Sequence, residues 1–134
     1  MKKHLRLFSW LLVAAWLASI LDVSAQSDTW DGGAGDNLWG SGDNWSDNSA
    51  PGLNSIITFA GSNRLNPDWN YGDYNNMNQI LFASGAGSFV IGSTDLRNMK
   101  LTANGGSGIK IENYSSNLQT INSEMKSLRR AADL

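Results

Sequence analysis

From Trp30 to Ile121 no apolar stripe at helical spacing lasts three turns, because glycines and asparagines interrupt every candidate. That interruption leaves short strands as the regular structure the chain can form. Ile56-Ile57-Thr58-Phe59 is β-branched and aromatic. It follows a Pro51-Gly52 turn and stops at Ala60-Gly61-Ser62, so it reads as a strand. Ile80-Leu81-Phe82 and Phe89-Val90-Ile91 read the same way, joined by the tight Gly/Ser/Ala connection at residues 83–88.

These blocks recur at a fixed step. Ile80-Leu81-Phe82 is followed twenty residues on by Lys100-Leu101-Thr102, and twenty further by Thr120-Ile121-Asn122. Phe89-Val90-Ile91 is matched twenty residues on by Ile109-Lys110-Ile111, and residues 83–88 and 103–108 form equivalent Gly/Ser-rich corners. Two strands per turn and twenty residues per turn is the pattern of a β-solenoid. An antiparallel sandwich is the alternative. A single rung cannot bury its apolar face and needs neighbours above and below. The expected fold class is therefore all-β: a short parallel β-helix or β-solenoid start, incomplete at its C-terminal end.

The segment ahead of the blocks is TWDGGAGDNLWGSGDNW, residues 29–45, whose large apolar groups are Trp30, Leu38, Trp39 and Trp45. Before it, Lys2, Lys3 and Arg6 precede an apolar run over residues 7–21, and Val23-Ser24-Ala25 supplies small residues where a signal peptidase cuts. The run is shorter than a membrane span needs, so a signal peptide removed after Ala25 is expected, with no stable membrane span left behind. An uncleaved anchor is the alternative.

Removing residues 1–25 takes away the single histidine, His4, with Lys2, Lys3, Arg6 and Asp22. Seven basic and eleven acidic residues remain. The chain has no cysteine. A small exported domain without disulfides must stabilise itself otherwise, and a Trp/Gly-rich cap over the first rung is one way. The expected organisation is a signal peptide (1–25), the Trp/Gly/Asp-rich cap (26–55), β-solenoid rungs (56–122) and a polar tail (123–134). Glu124, Lys126, Arg129 and Arg130 around Met125 and Leu128 suit a short helix in the tail better than a strand.

The ordered motifs TWDGGAGDNLW, NW (Asn44-Trp45), APG, ITFAGS, ILFASGAGSFVIGS, LTANGGSGIKIEN and LQTI resemble the N-terminal start of exported passenger-type proteins with autotransporter-associated β-strand repeats. The resemblance covers residues 29–121. It implies a long parallel β-helix at or released from a bacterial surface, with downstream solenoid rungs as partners and no catalytic centre. Such proteins continue for hundreds of residues and end in a β-barrel or sorting tail, which these residues do not contain.

With neither His nor Cys after residue 25, His-based triads, thiolate chemistry and His–metal sites are excluded, and an enzyme is not expected. The acidic N-terminal half gives no reason to expect nucleic acid. No cofactor is expected. Asp28, Asp31, Asp36, Asp43 and Asp47 are hard oxygen ligands for Ca²⁺ by type, but their spacing matches no calcium loop, and turn formation is the preferred role. The functional rival is a small exported carbohydrate-binding module. Exposed Trp30, Trp39, Trp45, Trp69, Tyr71 and Tyr74 would stack on the sugar faces of cell-surface glycans. Packing of the same rings into a core or cap is preferred, because each buries a large apolar area.

Overall fold

The computed structural model describes residues 26–71, 76–92, 99–102 and 109–128. Residues 1–25, expected to be a signal peptide, Tyr74, and residues 103–108, expected to be a corner, lie outside these residues. Within them the fold is all-β and largely parallel. Eight strands form: β1 (Ser27–Trp30), β2 (Ser55–Phe59), β3 (Asn76–Phe82), β4 (Val90–Ile91), β5 (Met99–Thr102), β6 (Lys110–Asn113), β7 (Thr120–Ile121) and β8 (Met125–Leu128).

The main sheet adds strands in one direction. β1 pairs with β2 and β2 with β3, all parallel, so Trp30, Phe59 and Phe82 form one buried column and Asp28, Ile57 and Ile80 another. Alternation explains the inward choice: SIITF in β2 buries Ser55, Ile57 and Phe59 and turns Ile56 and Thr58 outward. β3 breaks this alternation by burying both Met77 and Asn78. The reason is a bulge, since Ser55 pairs with Met77 and Ile56 with Gln79, leaving Asn78 as the extra residue. Asn78 uses its buried position to donate Nδ2 to the Thr102 carbonyl at 3.0 Å.

β3 then carries two strands on its far edge. β5 pairs with its first residues, Asn76 and Met77, and β6 pairs with its last four. β8 adds parallel to β5. A second ladder runs beside the first: Leu38, Asp68 and Gly92 are bridged in parallel, and β4 pairs with β7. The loops stack too. Gly87 N donates to the Gly61 carbonyl at 2.7 Å, and Gln119 Nε2 donates to the Gly87 carbonyl at 2.8 Å. The aromatic core lies among these elements.

Three expectations are corrected. The twenty-residue step does not set the register. Ile57 pairs with Ile80, Ile80 with Ile111 and Ile91 with Ile121, steps of 23, 31 and 30 residues. Leu101 pairs with Met77 and not with Leu81, twenty residues before it. Similar apolar blocks matched at twenty, but register follows inward-facing side chains, while bulges and loops of unequal length absorb the difference. Next, the first regular strand is β1, inside the segment read as a cap, and not the strand at Ile56. Its inward positions are Asp28 and Trp30, and the carboxylate hides the alternation. Finally, Met125–Leu128 is a strand rather than a helix, because the edge of β5 offers it a partner.

Candidate functional site

The tryptophan-rich segment is built around one buried amide. A 3₁₀ turn at Gly42–Asn44 swings Asn44 inward. There Asn44 Oδ1 accepts from Ala34 N at 3.1 Å, while Nδ2 donates to the carbonyls of Asp36 (3.2 Å) and Leu38 (3.0 Å) and to Asp36 Oδ1 (3.1 Å). One side chain thereby ties together three points of the glycine-rich loop. The loop also packs too closely for other residues at two places. A Cβ on Gly33 would lie 2.6 Å from the Asp43 carbonyl oxygen, and one on Gly42 would lie 2.7 Å from that of Asn48.

The aspartates act as turn formers. Asp31, Asp36 and Asp47 each accept a hydrogen bond from the backbone N–H two residues on, at Gly33, Leu38 and Ser49. Asp36 also accepts from Ser41 Oγ at 2.8 Å. The Leu38 N–H, and after it the Ser41 hydroxyl, hold the Asp36 carboxyl below the usual carboxylate range. Asp28 is instead buried in β1, with Oδ1 accepting from Gln26 Nε2 at 2.7 Å. Among the described residues no three or more His, Cys, Asp or Glu side chains gather where they could hold a metal ion.

This scaffold lays the indoles against each other. The chain at Asn44–Ser46 returns antiparallel along the outer edge of β1: Trp30 bridges Trp45, Asp31 N donates to the Asn44 carbonyl (3.0 Å), and Ser46 N donates to the Thr29 carbonyl (2.9 Å). Trp45 meets Trp30 edge-to-face at 5.2 Å and Trp39 at 5.5 Å, and its Nε1 donates to the Trp39 carbonyl at 2.7 Å. Trp39 meets Trp69 at 5.0 Å and Phe59 at 5.5 Å. The indole N–H groups of Trp30, Trp39 and Trp69 make no hydrogen bond within the described protein.

Of the six rings proposed for sugar stacking, Trp30, Trp39, Trp45 and Trp69 are fully buried at 0 % exposure and present no face to solvent. Tyr71 is half-buried. Its ring packs edge-to-face on Trp69 at 5.3 Å and its hydroxyl donates to the Trp39 carbonyl at 3.4 Å. Burial, and then the Asp28 carboxylate, push the Tyr71 hydroxyl up to about 12. Tyr74 lies outside the described residues. The structure thus joins Trp30, Trp39, Trp45, Trp69 and Tyr71, but as a core.

The chain matches no protein-family model, no curated protein and no solved structure.

Two outer features complete the description. An open groove of about 640 Å³ crosses the second ladder, lined by Asp36, Leu38, Pro67, Asp68, Val90 and Gly92 among others, with no aromatic side chain in its walls. The second feature is the outer edge of β6. Among the described residues β6 pairs only with β3, and Ile111 is 42 % exposed; Tyr114 and Leu118, which follow β6 in the chain, are exposed as well. Neither surface was apparent from the sequence, because each depends on which strands become neighbours. No helix among the described residues is long and apolar enough to cross a membrane.

Proposed function

We propose that this chain is a non-enzymatic structural part of an exported, surface-displayed or released bacterial protein of the passenger type: the sealed beginning of a parallel β-helix. One observation carries this reading. The two ends of the stack differ: the antiparallel Asn44–Ser46 segment covers the β1 edge at Thr29–Asp31, and among the described residues the outer edge of β6 has no strand on it. A scaffold built by adding parallel layers needs a closed start and an edge on which layers continue. The motif order through residues 29–121 supports the same reading, and the basic–apolar–small pattern of residues 1–25 supports export. Further solenoid layers are the partners that fit the open edge.

Expression in a Gram-negative host tests the proposal. The recovered protein should begin at Gln26, lie outside the cytoplasm and show no hydrolytic activity against a glycan panel. A product that retains residues 1–25 and stays in the cytoplasm would overturn the export reading. Blue-shifted tryptophan emission that no glycan perturbs is expected of the scaffold. A saturable shift with one glycan would favour a binding module instead.

A further inference from the structure

The β6 edge has a property that the layered scaffold does not require. Its sequence is Lys110-Ile111-Glu112-Asn113, and Lys110 Nζ lies 2.6 Å from Glu112 Oε1 on the same outward face. Opposite charges therefore flank Ile111 symmetrically. We infer that β6 is a self-complementary edge through which two copies of this chain pair antiparallel, with Ile111 on the twofold axis.

Geometry selects the partner. On the β1 edge, Trp45 and Ser46 of the same chain already occupy the stretch from Thr29 to Asp31. β6 set against β6 is an isologous contact, and it is the pairing that the charges on β6 fit. β8 lies on β5 and leaves β6 clear among the described residues. Charge selects the direction and register. Antiparallel pairing about Ile111 sets Lys110 of each copy opposite Glu112 of the other, giving two opposite-charge cross-strand pairs. Parallel pairing in register sets Lys110 against Lys110 and Glu112 against Glu112, which repels. A slip by one residue sets Ile111 against Glu112 and turns the apolar face outward. The favoured register also brings the two half-exposed Ile111 side chains together, with Tyr114 and Leu118, at 60 % and 80 % exposure, following β6 on the same uncovered layer. A strand that continues the stack within one longer chain would compete for this edge, so the inference concerns the edge itself and does not depend on export.

Sedimentation velocity of the chain over a concentration series, with circular dichroism as a check on folding, tests it. The parent chain should show a monomer–dimer equilibrium without larger species. Lys110→Glu alone and Glu112→Lys alone each set two like-charge pairs across the axis and should weaken the dimer about tenfold or more. The double exchange Lys110→Glu/Glu112→Lys should restore it, and mixing the two single variants should give a heterodimer. A parent chain that stays monomeric would overturn the inference, as would open-ended association, single variants that dimerise like the parent, or a mixture that does not pair. A single variant that fails to fold alone leaves the double exchange to decide.

Discussion

Truncating Trp45 to alanine examines the aromatic cluster where one ring meets two others and also makes a hydrogen bond. The indole is fully buried, touches Trp30 and Trp39 edge-to-face, and donates Nε1 to the Trp39 carbonyl at 2.7 Å. Truncation of a core Trp costs about 3–5 kcal/mol, a range that already contains much of the lost ring contact. The lost hydrogen bond adds little, because the Trp39 carbonyl keeps the Tyr71 hydroxyl at 3.4 Å. The expected loss is therefore about 4 kcal/mol, against a total of about 5–15 kcal/mol for a domain of this size. Trp45→Phe keeps a ring against both neighbours and loses one hydrogen bond and some volume, so about 1–2 kcal/mol is expected. Urea unfolding followed by far-UV circular dichroism avoids the altered fluorescence. At an m-value of about 2 kcal/mol/M the alanine midpoint should fall by roughly 2 M and the phenylalanine midpoint by less than 1 M. Equal midpoints for parent and Trp45→Ala would refute the claim that this indole closes the core.

Two further substitutions probe the polar supports. Asn44→Ala leaves the Ala34 N–H and the Asp36 and Leu38 carbonyls without their shared partner. A loss of about 2–4 kcal/mol in urea unfolding is expected, and one below about 1 kcal/mol would remove the amide from its central place. Tyr71 should make the fold alkali-sensitive. Its folded pKa is raised from 10.0 to about 12, so its stabilising contribution is complete below pH 10 and is lost as pH rises through about 12. Melting temperature should drop across that window in the parent and more gently in Tyr71→Phe; identical profiles would contradict the assignment.

How much of this the sequence held depends on the range of the interaction. β2 was legible because Ile57 and Phe59 alternate with outward Ile56 and Thr58, a purely local pattern. The inward packing of Trp30, Trp39 and Trp45 followed from a small chain without cysteine needing its aromatics inside. β1 was not legible, since a buried Asp28 occupies a position where an apolar residue signals a strand. The role of Asn44 was not legible either; its inward placement depends on a 3₁₀ turn and on acceptors eight residues back. The register escaped for the same reason. The bulge at Asn78 and the division of the β3 edge between β5 and β6 arise only when strands meet. β8 is the clearest case, because its residues suit a helix and the edge of β5 makes them a strand.

The central claim is a parallel stack whose strands superpose in an uneven register, and a chain without cysteine lets cross-linking read it directly. Leu81 pairs with Glu112 across neighbouring strands, whereas Leu101, twenty residues from Leu81, pairs with Met77. Neighbouring strands lie about 4.8 Å apart, within disulfide reach. Under mild oxidation Leu81→Cys/Glu112→Cys should form an intramolecular disulfide and Leu81→Cys/Leu101→Cys should not. Efficient bridging of the second pair with none of the first would restore the twenty-residue solenoid and contradict the stack described above.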